Sequence, residues 1–359
     1  MAFLLGLPDT LDDATKTHGP RHAKLSRRGP GPRLDGTMKR NKTMRLSLLA
    51  GIFMLVPHLR AQEAAHARPA MLRADVKLVL VPVTVTDHRG ANVNGLDQKS
   101  FTVLDDKVPQ KIVSFSTEDS PSSVGVVLDI SGSMRNTLGA AKDVVQAFLR
   151  TTNTEDEFLL LTVSTQPEAL AGFTTDVQAF EKSIGTIRPG GMTALIDTVY
   201  LGLSRMREAR QPRRALLILS DGIDNQSRYS QGELLRVALE ADVQIYTIIF
   251  DNGSAGGAAN TIPFVPSMVR KPGFRGPEQQ GPEMLEKLSD RTGGLHFRVR
   301  NQAEANEAVI KAGQALRSEY LIGYHAPDSG TAGKWHRVQV KLDRAQQAQA
   351  HARTGYYSR

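Results

Sequence analysis

The chain predicts an α/β fold: a doubly wound, mostly parallel sheet with a small flanking β domain. Three observations carry this. From Val124 onward, short runs that are apolar throughout alternate with stretches whose apolar residues recur at helical spacing. Strands that are apolar on both faces, separated by helices, mean a parallel sheet covered on both sides. Upstream, residues 76–87 place Val81, Val83 and Val85 in alternation with Pro82, Thr84 and Thr86, the period of two that marks a half-buried strand. Finally, 359 residues with 40% hydrophobic content suffice for one large core plus one or two small units.

The N-terminal part is of a different kind. Residues 1–73 hold 13 Lys/Arg and 5 Asp/Glu, out of whole-chain totals of 45 and 37, so the remainder carries 32 of each sign. The net charge of +8 therefore belongs to this segment, and the body gives no charge argument for nucleic acid. Lys39, Arg40, Lys42 and Arg45 precede the apolar run LSLLAGIFMLV, residues 46–56, which Pro57 ends. That is the charged region and apolar core of a signal peptide, and it is shorter than the roughly 20 residues a membrane span needs. Cleavage is expected after Ala61 or Ala67, within a signal peptide over 38–67, with an uncleaved anchor as the alternative. Residues 1–37, rich in Gly, Pro and Arg without an apolar period, are expected to lie upstream of a true start at Met38 or Met44. The mature protein is then secreted or periplasmic, with no stable membrane span. The chain has no cysteine, which excludes disulfides, thiolate zinc sites, cysteine nucleophiles and a lipidated cysteine.

The elements follow in order. Residues 68–121 form the small β domain: the strand at 76–87, in which Pro82 points to an edge position, then SFTVLDD and QKIVSFS around the turn DDKVPQ. TEDSPSS is a linker. In the α/β body, residues 122–318, the strands are 124–128, 157–164, 215–220, 243–250 and 295–299. A short edge strand near 168–173 is hairpinned onto the second. The helices are 137–150, 177–187, 194–209, 231–240, 282–292 and 303–318. Residues 251–281 are Gly/Pro-rich and read as a long loop. A C-terminal β segment, 319–359, holds SEYLIGYHAP, KWHRVQVKLD and RTGYYSR. The sequence leaves open whether these strands extend the first β unit.

The chemistry lies where the body's first strand ends, in VGVVLDISGSMRN. Ligands of open parallel sheets sit outside the carboxyl ends of the strands, and Asp129 is at such an end. Gly132 eases the turn into a helix, which lets Asp129, Ser131 and Ser133 converge. One carboxylate and two hydroxyls are hard oxygen donors, suited to Mg²⁺, Mn²⁺ or Ca²⁺. Two other strand ends can add oxygens: Thr193 in RPGGMTALID and Asp221 in ALLILSDGIDN.

These three motifs, in this order, resemble the D-x-S-x-S…T…D pattern of von Willebrand factor type A domains, over about residues 122–318. The resemblance implies a Rossmann-like domain with a metal-ion-dependent adhesion site. In it, Asp129, Ser131, Ser133 and Thr193 contact the metal or its waters, and Asp221 acts directly or through water. It also implies a protein ligand whose acidic side chain completes the shell. Met192 departs from the small residue common at that place. The flanking segments VPVTVTDHRGANVNGLDQKSFTVLDDKVPQKIVSF, SEYLIGYHAP and RTGYY resemble exported acidobacterial von Willebrand A-related proteins.

Other readings of the same residues are weaker. Asp129 and the serines alone would serve as helix caps. Asp197 is either a neighbour of the site or a surface acid, and Asp224 reads as a turn residue. A hydrolase would show G-x-S-x-G, H-E-x-x-H or a phosphate loop, and none is present. His296, His325 and His336 read as strand or surface residues, and Trp335 and the C-terminal tyrosines as core. The expected role is a non-enzymatic, divalent-cation-dependent protein-binding module. The alternative is an envelope scaffold whose metal only stabilises loops.

Overall fold

The structure, a computed structural model, describes residues 77–117, 119–251, 277–327, 333–343 and 347–358. The upstream extension, the signal peptide and nearly all of the Gly/Pro-rich loop lie outside the described residues. All described residues belong to the unit Met71–Arg359. Among them, no helix is long and apolar enough to cross a membrane.

The described residues open with four strands: β1 (Leu78–Asp87), β2 (Phe101–Asp105), β3 (Val108–Gln110) and β4 (Ile112–Ser116). The body follows. Its strands are β5 (Ser122–Asp129), β6 (Glu157–Val163), β7 (Glu168–Ala169), β8 (Arg213–Ser220), β9 (Gln244–Phe250) and β10 (His296–Val299). They make one sheet in the order β10-β9-β8-β5-β6-β7. Every ladder is parallel except that of β7, the predicted edge hairpin, which runs antiparallel to β6.

Among the described residues, six helices cover this sheet: α1 (Leu138–Leu149), α2 (Val177–Thr186), α3 (Leu195–Arg205), α4 (Gln231–Ala241), α5 (Pro277–Thr292) and α6 (Gln302–Arg317). Strand alternation sorts the core. Val126 and Leu128 face a cluster with Phe148 of α1, Phe180 of α2 and Val309 of α6. Val127 faces the opposite cluster, with Leu195 of α3, Leu234 of α4 and Leu285 of α5. All eight residues of β5 are buried, which is why the sequence shows an unbroken apolar run there.

The last strands are β11 (Tyr320–His325), β12 (Trp335–Leu342), β13 (Ala348–Ala352) and β14 (Gly355–Tyr357). They are not a separate segment. They complete two four-stranded sheets with the opening strands, ordered β13-β1-β11-β4 and β14-β12-β2-β3. One apolar cluster joins the two sheets, with Val81, Val83, Phe101, Val103, Ile322 and Tyr324 fully or almost fully buried. The expected linker is shorter than TEDSPSS, since β5 already begins at Ser122.

The edge position read from Pro82 needs correction. β1 is an inner strand, flanked by β11 and β13. Its pairing with β13 starts only at Val83, so at Pro82 the strand has a neighbour on one side, and a residue without an N–H is tolerated there.

Candidate metal centre

The order of the central sheet reverses between β5 and β8: from β5 the chain moves outward to β6 and β7, then returns to β8 on the other side. Such a reversal opens a crevice at the carboxyl ends of the two strands. Asp129 ends β5 and Asp221 directly follows β8, so the two carboxylates flank it.

Asp129 is fully buried. Its Oδ1 accepts the backbone N–H of Ser131 at 2.9 Å, and its Oδ2 accepts the hydroxyl of Ser220 at 2.6 Å. A single helical turn, Gly132–Met134, then reverses the chain, anchored by the fully buried Met134. This turn brings the Ser131 and Ser133 hydroxyls within 3.1 Å of each other. Ser131 is buried and Ser133 exposed, so the hydroxyl pair runs from the interior to the surface.

The second loop is strapped to the first by backbone. Gly190 N–H donates to Ile130 at 2.7 Å and Gly132 N–H donates to Gly191 at 3.1 Å. Gly191 has φ +87°, and a Cβ there would lie 2.8 Å from the Thr165 hydroxyl oxygen, so only glycine fits the strap. Thr193, buried, is tied to the third loop: its N–H donates to Asn225 Oδ1 at 2.9 Å, and its carbonyl accepts from Asn225 and Gln226, both at 3.0 Å. In that third loop Asp221 Oδ1 accepts the N–H of Ile223 at 3.1 Å.

The predicted residues thus fall on three loops joined by direct hydrogen bonds. Asp129, Ser131 and Ser133 form a contiguous chain of contacts, and Asp221 is close enough to act on Asp129 electrostatically. Thr193 is joined to both neighbouring loops through backbone and Asn225. Asp197 is not a surface acid: it is buried, and its Oδ1 accepts the backbone N–H groups of Arg228 and Tyr229 at 2.9 and 3.0 Å. Asp224 is the turn residue expected, accepting from Ile196 N–H and from Ser227. Ser220 is the contributor that sequence reasoning missed. Its signal is a lone serine closing the apolar run ALLILS.

Burial pushes the Asp129 carboxyl up to about 6, and the Asp221 charge adds to this, while the hydrogen bonds from Ser220 and Ser131 oppose it. A buried carboxylate beside a second one, with hydroxyls around it, is a set of hard oxygen donors of the kind a divalent ion takes.

A second cluster lies in the β sandwich. His336 Nδ1 sits 3.2 Å from Asp105 Oδ1 and 3.3 Å from Asp106 Oδ2. The other Asp105 oxygen accepts the hydroxyls of Tyr324 and Tyr356, at 2.8 and 2.9 Å. His336 Nε2 is buried without a partner. With Nδ1–H donating to the carboxylates, Nε2 keeps a bare lone pair. A metal at Nδ1 would instead put an N–H at Nε2 facing no acceptor, the costlier arrangement. The cluster therefore reads as a hydrogen-bonded clasp between strands. It also places His336 in the interior.

Residues 124–223 match the von Willebrand factor type A domain family. An uncharacterized protein of Borreliella burgdorferi is 25% identical over 198 residues, which cover 52% of this chain. The match takes in 57% of that relative, so the chain spans little more than half of its length. Among solved structures, a von Willebrand factor type A protein from Catenulispora acidiphila is similar over 80% of this chain and 75% of its own, with a TM-score of 0.43 and 12% identity. An aerotolerance-related membrane protein from Bacteroides fragilis is similar over 54% of this chain and 98% of its own, with a TM-score of 0.40 and 16% identity. Over the strands and loops that carry Asp129, Thr193 and Asp221, the chain is similar to the von Willebrand factor type A domain.

Proposed function

We propose that this protein is an exported, non-catalytic binding module that engages a protein ligand through a divalent cation, Mg²⁺ or its congeners Mn²⁺ and Ca²⁺. The observation that carries the reading is the junction of three loops at the sheet's switch point, with Asp129, Ser131, Ser133 and Ser220 in hydrogen-bond contact and Asp221 beside them. Domains of this class serve protein interaction in general, and the specific proposal is metal dependence.

Asp129, Ser131, Ser133, Thr193 and Asp221 would hold the ion. The ion would supply Lewis acidity toward an acidic group of the partner. The protein's own contribution is positional. Ser220 and the Ser131 N–H fix the Asp129 carboxylate, the Gly190–Gly191 strap holds the Thr193 loop against the Ser131 loop, and burial keeps competing water from the inner oxygens. Because only two carboxylates belong to the set, a bound dication keeps affinity for a further anionic oxygen.

Calorimetric titration of Mg²⁺ and Mn²⁺ into the full chain tests this, beside Asp129→Ala and Thr193→Ala. We expect cation uptake by the unaltered protein and its loss in both variants, with circular dichroism unchanged. A protein that takes up neither ion, alone or with an acidic peptide present, would refute the reading.

A further inference from the structure

We propose that a cavity at the opposite end of the sheet, where β8 and β9 begin, binds a small organic anion: a carboxylate carried on a short apolar body. The cavity holds about 180 Å³. That is below the roughly 300–1,000 Å³ of sites for drug-sized ligands, so the occupant is small.

Its walls are of two kinds. Leu80 and Pro82 of β1 and Leu321 of β11 give an apolar side. Arg213, Arg214 and Arg353 give a basic side. Two of these cations are already engaged. Arg213 donates to the carbonyls of Leu316 and Arg317 at 3.1 and 3.0 Å and faces Glu319 at 4.0 Å. Arg353 pairs with Asp242 and donates to the Leu80 carbonyl at 2.6 Å.

Arg214 is different. Its guanidinium donates to the Ala209 carbonyl at 3.3 Å, and it is paired with no carboxylate among the described residues. In addition, the Nε atoms of Arg214 and Arg353 are both buried with no hydrogen-bond partner. Buried guanidinium N–H groups normally find acceptors. Both side chains line the cavity, so a small turn of either guanidinium toward it would let a bound oxyanion supply the missing acceptor.

The charge balance agrees. The lining carries three arginines and two acids, Asp242 and Glu319, and a third acid, Asp119, lies outside the lining 3.9 Å from Arg213, so Arg214 keeps no acidic partner among the described residues. Burial pushes Glu319 up to about 7, so it opposes an anion less than an ordinary carboxylate would. The apolar wall then separates a carboxylate with a hydrocarbon body from a bare inorganic anion.

The test is calorimetric titration of the full chain with hexanoate, benzoate, acetate and inorganic phosphate, in EDTA so that carboxylates do not report on the metal centre. Hexanoate and benzoate should bind, and acetate and phosphate more weakly. Arg214→Gln should weaken hexanoate by about tenfold or more, as for the loss of one hydrogen bond to a charged group. Ser116→Phe, which crowds the cavity wall while leaving every arginine in place, should do the same if Arg214→Gln fails to fold. Failure of all four anions to bind overturns the proposal, as does hexanoate affinity unchanged in both variants. Phosphate binding as tightly as hexanoate overturns the assignment of an apolar body.

Discussion

Glu319 is a buried carboxylate with few partners. The Tyr246 hydroxyl lies 3.3 Å from its Oε1 and Arg213 Nε stands 4.0 Å from its Oε2. Burial outweighs these and the Gln244 side-chain hydrogen bond, and pushes its carboxyl from the usual 4.5 up to about 7. The folded state therefore holds the proton more tightly than the unfolded chain. The stability this confers is fully present below pH 4.5 and is lost as pH rises through about 7; by linkage it is on the order of 3 kcal/mol. Glu319→Gln should remove this dependence, so that the variant gains on the unaltered protein between pH 5 and pH 8 in urea unfolding. Equal pH profiles for the two proteins would show that Glu319 is charged in the fold. Gly222 poses a steric question instead. It has φ +83°, and a Cβ there would lie 2.7 Å from the Pro282 nitrogen. Gly222→Ala is expected to cost about 1–2 kcal/mol from the left-handed backbone alone, and more from the clash. The melting temperature should fall, and since Asp221 is adjacent, cation uptake should weaken with it.

At the scale of elements, caps are separable from the core. Ser230 begins α4 with a capping box: its Oγ accepts the Glu233 N–H at 3.3 Å, and the Glu233 carboxylate accepts the Ser230 N–H at 2.8 Å. Ser230→Ala should cost about 1 kcal/mol, read as a lower urea midpoint at unchanged slope. Elements with such local signals were legible in the sequence. The body's five apolar runs became β5, β6, β8, β9 and β10, and its helical periods became α1 to α6, because both faces of the sheet and one face of each helix are buried by neighbours close in the chain. β13 was not legible. Ala348, Gln349, Ala350, His351 and Ala352 include no β-branched residue and no Tyr, Phe or Trp, and the strand exists because β1 supplies its ladder and Thr86 meets His351 at 2.9 Å. That is context overriding propensity. The site divides in the same way. Asp129, Thr193 and Asp221 stand out because each follows an apolar run or a glycine turn. Ser220 stands out less, because as the last residue of such a run it reads as part of the strand, and its role shows in its 2.6 Å bond to Asp129.

For the whole molecule, the governing fact is that the body is inserted into the sandwich. β1 and β4 take β11 between them, and β2 takes β12 as its partner, so the opening strands find most of their ladder only after the chain has passed through the entire body. The two crossings are clamped together. Arg317, at the end of α6, reaches Asp119 at 3.1 Å, just before β5, and Asp156 at 2.7 Å, just before β6. The body, by contrast, builds its sheet and both its cores from residues between Ser122 and Arg317. Pairing of such distant segments comes at a large loop-closure cost, which the body's own folding removes by bringing residues 119 and 317 together. A chain shortened to end at residue 318 should therefore separate the two parts. Amide hydrogen exchange should lose protection across Val79–Val85, whose partner strands are gone, and keep it across Val124–Leu128. Protection lost in both stretches would mean that the sandwich holds the body together, and that the clamp at Arg317 depends on the sandwich.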